Sequence, residues 1–276
     1  MYSYSPLRYP GGKTQISKYI EDIIKHNGLS GGSYAEPYAG GAGVAIYLLL
    51  FGHVKDIYIN DLDYSVYAFW YSLKHQPEQL CRRIWDTPVT IESWATQKEI
   101  QLHKADYAIL DVGFSTFFLN RTNRSGILKG GIIGGKNQDG IYQLDCRYNK
   151  PKLIERIERI VAYNEHIHVS NLDAMEFLTE NSQVFNSKTL VYLDPPYYQK
   201  GQQLYINYYT HDDHLRLKEY VSQLGGNWII TYDDAPEITE MYKGFQKAPI
   251  SISYFAAVKR RGTEVMFHSH DLKIAF

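Results

Sequence analysis

Residues 33–61 read SYAEPYAGGAGVAIYLLLFGHVKDIYIND, and their order decides the fold. Ser33 to Glu36 is a brief strand stopped by Pro37, and Gly40 to Phe51 is a helix entered through glycines. Val54 to Asn60 alternates apolar and polar residues as a strand does, and Leu62 to Lys74 is the next helix. Strand and helix in alternation predict a parallel α/β sheet. The rhythm returns after residue 166. Ile167 to Asn171 is strand-like and Ala174 to Glu180 helical, and Thr189 to Leu193 is a compact β-branched run suited to a buried central strand. Asp212 to Leu224 is then predicted as a helix and Trp228 to Tyr232 as a strand. Ser251 to Ala257 and Thr263 to His268 are expected to close the sheet as an antiparallel pair.

Between these halves the chain changes character. From about His75 to Asn149 it is helical and then rich in Gly, Asn and Arg, and a loop that long inside a compact domain is implausible. We expect 1–74 and 150–276 to form one unit and 75–149 an inserted, mainly helical one. Residues 120–160 hold nine basic and four acidic side chains, a local excess of five positive charges.

The whole chain has 276 residues, with 29 Lys and Arg against 30 Asp and Glu, a formal charge of −1. That balance argues against a protein that coats nucleic acid or anionic membrane through bulk charge, and leaves room for a local basic face. Cys81 and Cys146 form no CxxC or Cys/His pattern, so neither a disulfide framework nor a structural zinc is expected, and a reduced cytoplasmic setting fits. Met1 to Gln15 does not read as a signal peptide, and the longest apolar run, Val44 to Phe51, is too short to span a bilayer.

The sharpest motif is Asp194-Pro195-Pro196-Tyr197, directly after the buried strand. A carboxylate there stands where open α/β sheets bind ligands. The two prolines fix the backbone and remove two N–H donors, and the tyrosine offers a flat face for a base. The set suits methylation of an exocyclic amino group, whose lone pair is delocalised into the ring. Acceptors for its hydrogens localise that lone pair and stabilise the charge that develops on nitrogen. The plainer reading is a turn after a strand.

In Glu36-Pro37-Tyr38-Ala39-Gly40-Gly41-Ala42-Gly43, glycines allow close backbone approach and the helix N-terminus offers free N–H groups. Gly41-Ala42-Gly43 starts like a dinucleotide fingerprint, but Ile46 stands where its third glycine would fall. Asp61, about 20 residues on, is placed to hold a ribose hydroxyl. A nucleoside without pyrophosphate, such as S-adenosylmethionine, fits better than NAD; a simple turn with Asp61 as a helix cap is the alternative. Gly130 to Lys136 (GGIIGGK) imitates a P-loop. However, Asn137 replaces the Ser/Thr that would hold magnesium, and no buried strand precedes it. A P-loop NTPase would need ATP hydrolysis dependent on Lys136. Arg8 to Lys13 (RYPGGK) and Asn120 to Gly126 (NRTNRSG) add a lysine on a flexible Gly-Gly and a loop able to reach phosphates and base edges.

Together these residues resemble the Dam-type (D12-class) DNA adenine-N6 methyltransferases. RYPGGK, EPYAGGAGV (Glu36–Val44), FLNRTNRSG (Phe118–Gly126) and DPPY (Asp194–Tyr197) match in the family's order. WIITYDDAP (Trp228–Pro236) and KRRGTEVM (Lys259–Met266) match more weakly. The resemblance implies a doubly wound, Rossmann-like methyltransferase sheet with the insertion as target-recognition domain. It implies that Asp194, Pro195, Pro196 and Tyr197 are catalytic. Tyr9, Lys13, Glu36, Pro37, Tyr38, Gly40, Gly43, Asp61, Asp173 and Asp194 would hold S-adenosylmethionine. Asn120, Arg121, Arg124, Lys136 and Arg147 would contact DNA. Tyr197 would stack on a flipped-out adenine, and no metal is implied. Double-stranded DNA is the expected partner, with no membrane, in a bacterial or phage-encoded, nucleoid-associated enzyme; the resemblance also allows a cognate restriction nuclease. Two other readings are an RNA adenine-N6 methyltransferase and a sequence-specific DNA-binding protein with a silent methyltransferase domain.

Overall fold

The computed structural model describes residues 4–8, 16–199, 209–255 and 259–274, with the backbone path alone at 249–255 and 259–263. Seven strands form one sheet: β1 (Ser33–Glu36), β2 (Asp56–Asn60), β3 (Ile167–Ser170), β4 (Thr189–Leu193), β5 (Asn227–Asp233), β6 (Gln246–Phe255) and β7 (Lys259–His268). Their order is β3-β2-β1-β4-β5-β7-β6. The first five are parallel, with Ile59 beside Val169, Ala35 beside Val191 and Leu193 beside Ile230. β7 runs antiparallel to both β5 and β6. The expected terminal pair is therefore present and begins earlier, at Gln246; Ala257 lies outside the described residues.

Side chains alternate across a strand, and both faces of this sheet are covered. Tyr34, Ile57, Tyr192, Ile229 and Met266 join one core, with Ile20 and Ile24 of α1 (Ser17–His26) and Ile46 and Leu49 of α2 (Gly43–Leu50). Ala35, Val191, Leu193, Trp228, Ile230 and Phe267 point the other way. They pack with Phe177 and Leu178 of α8 (Ala174–Glu180), Leu217 and Val221 of α9 (His211–Gln223), and Ile238 of α10 (Pro236–Met241). A parallel sheet buried on both faces is the doubly wound arrangement. Its strand order reverses between β1 and β4, and sheets of this kind bind ligands at the carboxyl ends of the two strands that flank the reversal.

The helices between β2 and β3 join the first core. These are α3 (Tyr64–His75), α4 (Pro77–Asp86), α5 (Ile91–Leu102), α6 (Ile109–Thr122) and α7 (Lys150–Val161). α7 is capped by Asn149, which accepts from the Lys152 N–H. It buries Leu153, Ile157 and Ile160 along one face, each worth about 1.5–3 kcal/mol. α6 is buried on every side from Val112 to Thr122. Phe114, Phe117 and Phe118 enter the same core as β1 and β2. Gly113 lets α6 meet α3 closely, since a Cβ there would lie 2.5 Å from the Ala68 carbonyl oxygen. Packing is thus continuous across the boundary expected at 74/75. Among the described residues, no helix is long and apolar enough to cross a membrane, and Cys81 and Cys146 are free thiols.

Candidate active site at the carboxyl ends of β1, β2 and β4

Three strand ends are tied together by a buried asparagine. Asn60, the last residue of β2, donates from Nδ2 to the Pro37 carbonyl (3.0 Å) and to the Leu172 carbonyl (2.9 Å). Its Oδ1 accepts from the Leu172 N–H (2.9 Å) and the Ser170 hydroxyl (3.0 Å), and its backbone carbonyl accepts from Ala39 (2.8 Å). One side chain therefore sets the relative positions of the turns that carry Glu36, Asp61 and Asp173. Nothing in the local sequence marks Asn60, because its partners come from strands more than 20 and more than 100 positions away.

The glycine turn folds against the next strand. Gly40 has a left-handed backbone, φ 46°, as does Ala42, φ 44°, at the start of α2. The Gly40 N–H donates to Asp61 Oδ2 (2.8 Å), and Trp70 Nε1 donates to the Gly40 carbonyl (2.9 Å). Asp61 Oδ1 accepts from the Asp63 N–H (2.9 Å). Burial pushes the Asp61 carboxyl up to about 7, against the pull of those two N–H groups. Glu36 is 5 % exposed, and its Oε1 accepts from the Ala45 N–H (3.3 Å) in the first turn of α2. Burial raises its carboxyl to about 8; the Tyr34 hydroxyl and the Ala45 N–H lower it and the neighbouring Asp194 charge raises it. Among the described residues no basic side chain pairs with Glu36 or Asp61 in a salt bridge. Asp173 caps α8 by accepting from the Met175 N–H (2.9 Å). Tyr38 is half-buried, and its hydroxyl lies 2.9 Å from that of Tyr209. Pro37 and Gly40 are buried and Gly43 half-buried in the same turn.

Asp194 follows β4 and is partly exposed. Its Oδ1 accepts from Thr231 Oγ1 (2.9 Å) on the adjoining β5. Thr231 Oγ1 also lies 2.9 Å from the Tyr192 hydroxyl. A threonine hydroxyl has one proton, and Thr231 commits it to Asp194, so Tyr192 donates to Thr231. Pro195 and Pro196 are buried. The Tyr198 and Gln199 N–H groups that follow donate to Asp233 Oδ1 (2.9 Å) and Oδ2 (3.0 Å). Tyr197 is buried, and its hydroxyl donates to Glu264 Oε1 (2.6 Å) on β7. Thr231 and Glu264 are thus supports of residues 194–197, and Asp233 of the two residues that follow, that motif reading missed. Thr231 and Asp233 lie within the weaker WIITYDDAP match, and Glu264 within KRRGTEVM.

The residues expected to reach nucleic acid divide into two groups. Arg124, Lys136 and Arg147 are exposed. Asn120 and Arg121 are buried, at 3 % and 6 %, at the end of a helix and not on the loop able to reach phosphates and base edges that the sequence suggests. α6 runs on through Thr122, and both side chains turn inward to the segment at residues 6–8. Gly130 to Lys136 is a turn-rich stretch with no helix after it until α7, so it lacks the strand and helix of a P-loop. Gln138 pins it, donating to the Ile133 carbonyl (2.8 Å) and accepting from the Leu144 N–H (2.8 Å). Tyr9 and Lys13 lie outside the described residues. Among the described residues no three His, Cys, Asp or Glu side chains gather as metal ligands.

The family model described as D12 class N6 adenine-specific DNA methyltransferase matches residues 9–254. The Type II methyltransferase M.MjaIII of Methanocaldococcus jannaschii is 23 % identical over 238 residues, 79 % of each chain. Among solved structures, the putative RNA methyltransferase PH1948 of Pyrococcus horikoshii aligns with a TM-score of 0.43 at 13 % identity, covering 95 % of this chain and 85 % of that one. The rRNA methyltransferase aviRa of Streptomyces viridochromogenes aligns with a TM-score of 0.41 at 12 % identity, covering 96 % and 88 %.

Proposed function

We propose, for a chain that belongs to the D12 class N6 adenine-specific DNA methyltransferase family, that Asp194 receives the exocyclic amino group of an adenine turned out of duplex DNA. S-adenosylmethionine is the methyl donor. The observation that carries the reading is the setting of Asp194: a partly exposed carboxylate at the switch point of the sheet, aimed by Thr231 on the neighbouring strand.

The residues present suit this donor. Glu36 and Asp61 are carboxyls that burial keeps high, and a cationic ligand with hydroxyl groups supplies both the charge and the donors they need. Asp61 would take the ribose hydroxyls and Asp173 the amino group of the donor's adenine. Glu36 through Gly43, with Pro37, Tyr38 and Gly40, would line the methionine end, and Tyr9 and Lys13 would complete the site. When bound, S-adenosylmethionine supplies an electrophilic methyl group.

The protein's part is to prepare the nucleophile. The target N6 lone pair is spread into the purine ring. Asp194 and the Pro195 carbonyl accept the two N6 hydrogens, localise the lone pair and balance the positive charge that grows on nitrogen. Pro195 and Pro196 stiffen the backbone that presents the carbonyl. Tyr197, tethered to Glu264, forms a wall beside the base. Turning the base out of the stack gives the chemistry access to N6. Residues 75–149, with exposed Arg124, Lys136 and Arg147, form the proposed target-recognition part, and 1–74 with 150–276 the catalytic part.

The test is incubation with methyl-labelled donor and mixed-sequence duplex DNA, followed by nucleoside analysis. N6-methyladenine is expected. Label in cytosine, or in RNA alone, would refute the reading.

A further inference from the structure

Tyr209 directly precedes α9, and the sequence Tyr209-Thr210-His211-Asp212-Asp213-His214 fixes how the chain enters that helix. Thr210 is the cap. Its hydroxyl accepts from the Asp213 N–H (3.3 Å), and Asp213 Oδ2 accepts from the Thr210 N–H (2.8 Å). A ring contact joins the residue before the cap to the fourth residue of the helix: Tyr209 meets His214 edge-on, with ring centroids 5.4 Å apart. A capping box closed by a contact of that kind sets the angle at which the chain arrives.

From that position Tyr209 reaches the glycine turn. Its hydroxyl lies 2.9 Å from that of Tyr38, and the two rings meet edge-on with centroids 6.1 Å apart. Burial above all holds Tyr38 well above its ordinary value and pushes Tyr209 up to about 12, so both phenols keep their protons at neutral pH. One proton makes the bond between them, and the other is left to donate elsewhere.

His214 carries the contact onward. It is buried, and besides Tyr209 it packs against Tyr198 (centroids 5.3 Å apart) and Tyr232 (5.4 Å). Its Nδ1 lies 3.2 Å from the Tyr232 hydroxyl, and its Nε2 is buried without a hydrogen-bond partner among the described residues. Ring contacts on three sides therefore hold this imidazole more than hydrogen bonds do. Tyr198 follows Tyr197 in the chain; its N–H is held by Asp233, and its hydroxyl lies 2.9 Å from His211 Nδ1. Contacts thus run without a break from Tyr38, after β1, through Tyr209 and His214 to Tyr198, after β4.

We infer that Tyr209 is a positioning residue shared by both substrates: through Tyr38 it sets the donor turn, and through His214 it sets Tyr198, beside the residues that receive the base. Either substrate orders the same set of rings. The ligand that arrives first bears that ordering cost, and the second binds more tightly. The effect is reciprocal, so the donor strengthens duplex binding by the factor by which duplex strengthens donor binding. This inference rests on Tyr38 lying in the donor site and on Asp194 receiving the base.

The test compares wild type with Tyr38→Phe, Tyr209→Phe and the double variant. Binding of S-adenosylmethionine is followed by calorimetry, and duplex binding by fluorescence anisotropy with and without S-adenosylhomocysteine, which lacks the methyl group. A hydrogen bond between neutral groups is expected to contribute about 2- to 10-fold in affinity. Each single variant should bind the donor more weakly by that factor, and the double variant no more weakly than the singles, because both remove one bond. S-adenosylhomocysteine should tighten duplex binding by the wild type, and the tightening should shrink in Tyr209→Phe by a similar factor. A lower thermal midpoint in Tyr209→Phe, with donor affinity and tightening unaltered, would reduce Tyr209 to a structural contact and overturn the inference. Losses that add in the double variant would overturn the link between the two hydroxyls. Donor binding weakened by Asp61→Asn and untouched by both tyrosine variants would overturn the inference and leave the donor site standing. A wild type that binds no S-adenosylmethionine would overturn the donor site, and this assignment with it.

Discussion

Thr231 donates its hydroxyl proton to Asp194 across two neighbouring strands, at 2.9 Å, and is itself the acceptor for Tyr192. The three residues form a directed chain, Tyr192 to Thr231 to Asp194, that ends on the carboxylate proposed to receive the target amino group. Thr231→Val keeps the shape and removes the link. A hydrogen bond to a charged group is worth about 1.5–3 kcal/mol, about 10- to 100-fold in rate. The methyl-transfer kcat of Thr231→Val is expected to fall by that factor, with Thr231→Ser close to wild type. An unchanged kcat in Thr231→Val would show that Asp194 needs no such guide.

Glu36 and Asp61 give the ligand-free protein a pH dependence of defined sign. Both carboxyls sit well above their ordinary values near 4, at about 8 and about 7. The folded chain therefore keeps protons that the unfolded chain has released. Their contribution to stability is complete below about pH 4 and is lost as pH rises toward 8. The thermal midpoint without ligand should fall across that range, and Glu36→Gln or Asp61→Asn should flatten the fall. Binding of the cationic donor should strengthen over the same interval and release protons, which calorimetry in buffers of different ionisation enthalpy detects. A midpoint that rises from pH 5 to 8 would contradict the assignment.

Tyr197 and Glu264 share a 2.6 Å hydrogen bond between buried side chains. Tyr197→Phe leaves the carboxyl oxygen of Glu264 without this donor, at a cost of about 1–3 kcal/mol. The urea midpoint should drop accordingly, since the bond joins the turn after β4 to β7. A variant as stable as wild type would remove Tyr197 as a structural tie.

Asn120 makes three hydrogen bonds through its side chain, two to the Arg8 backbone and one to the Gly126 carbonyl (3.0 Å). Asn120→Ala is expected to lose about 2–4 kcal/mol of stability. It should also weaken donor binding, because the segment that carries Tyr9 and Lys13 begins where Arg8 is held. Stability loss with donor affinity unaltered would separate the clamp from the cofactor site.

The framework was legible in the sequence where strands are buried and short. Thr189–Leu193 coincides with β4, and the carboxylate after it falls at the switch point because the strand ends there. α6 was harder to read. It is buried all round, so it has no polar face and no apolar stripe, and Ser115, Thr116, Asn120 and Arg121 look like loop residues until their inward partners are known. Asn60, Thr231, Asp233 and Glu264 share another reason. Each acts through strand register, which places side by side residues that lie far apart in the chain, and no local pattern records that.

The measurement that bears most directly on the account is single-turnover methyl transfer to duplex DNA by Asp194→Ala. Removing one contact that stabilises developing charge should cost roughly 100-fold or more in rate. The account predicts that loss, with N6-methyladenine as the wild-type product and duplex binding retained in the variant. Transfer by Asp194→Ala at the wild-type rate would contradict it.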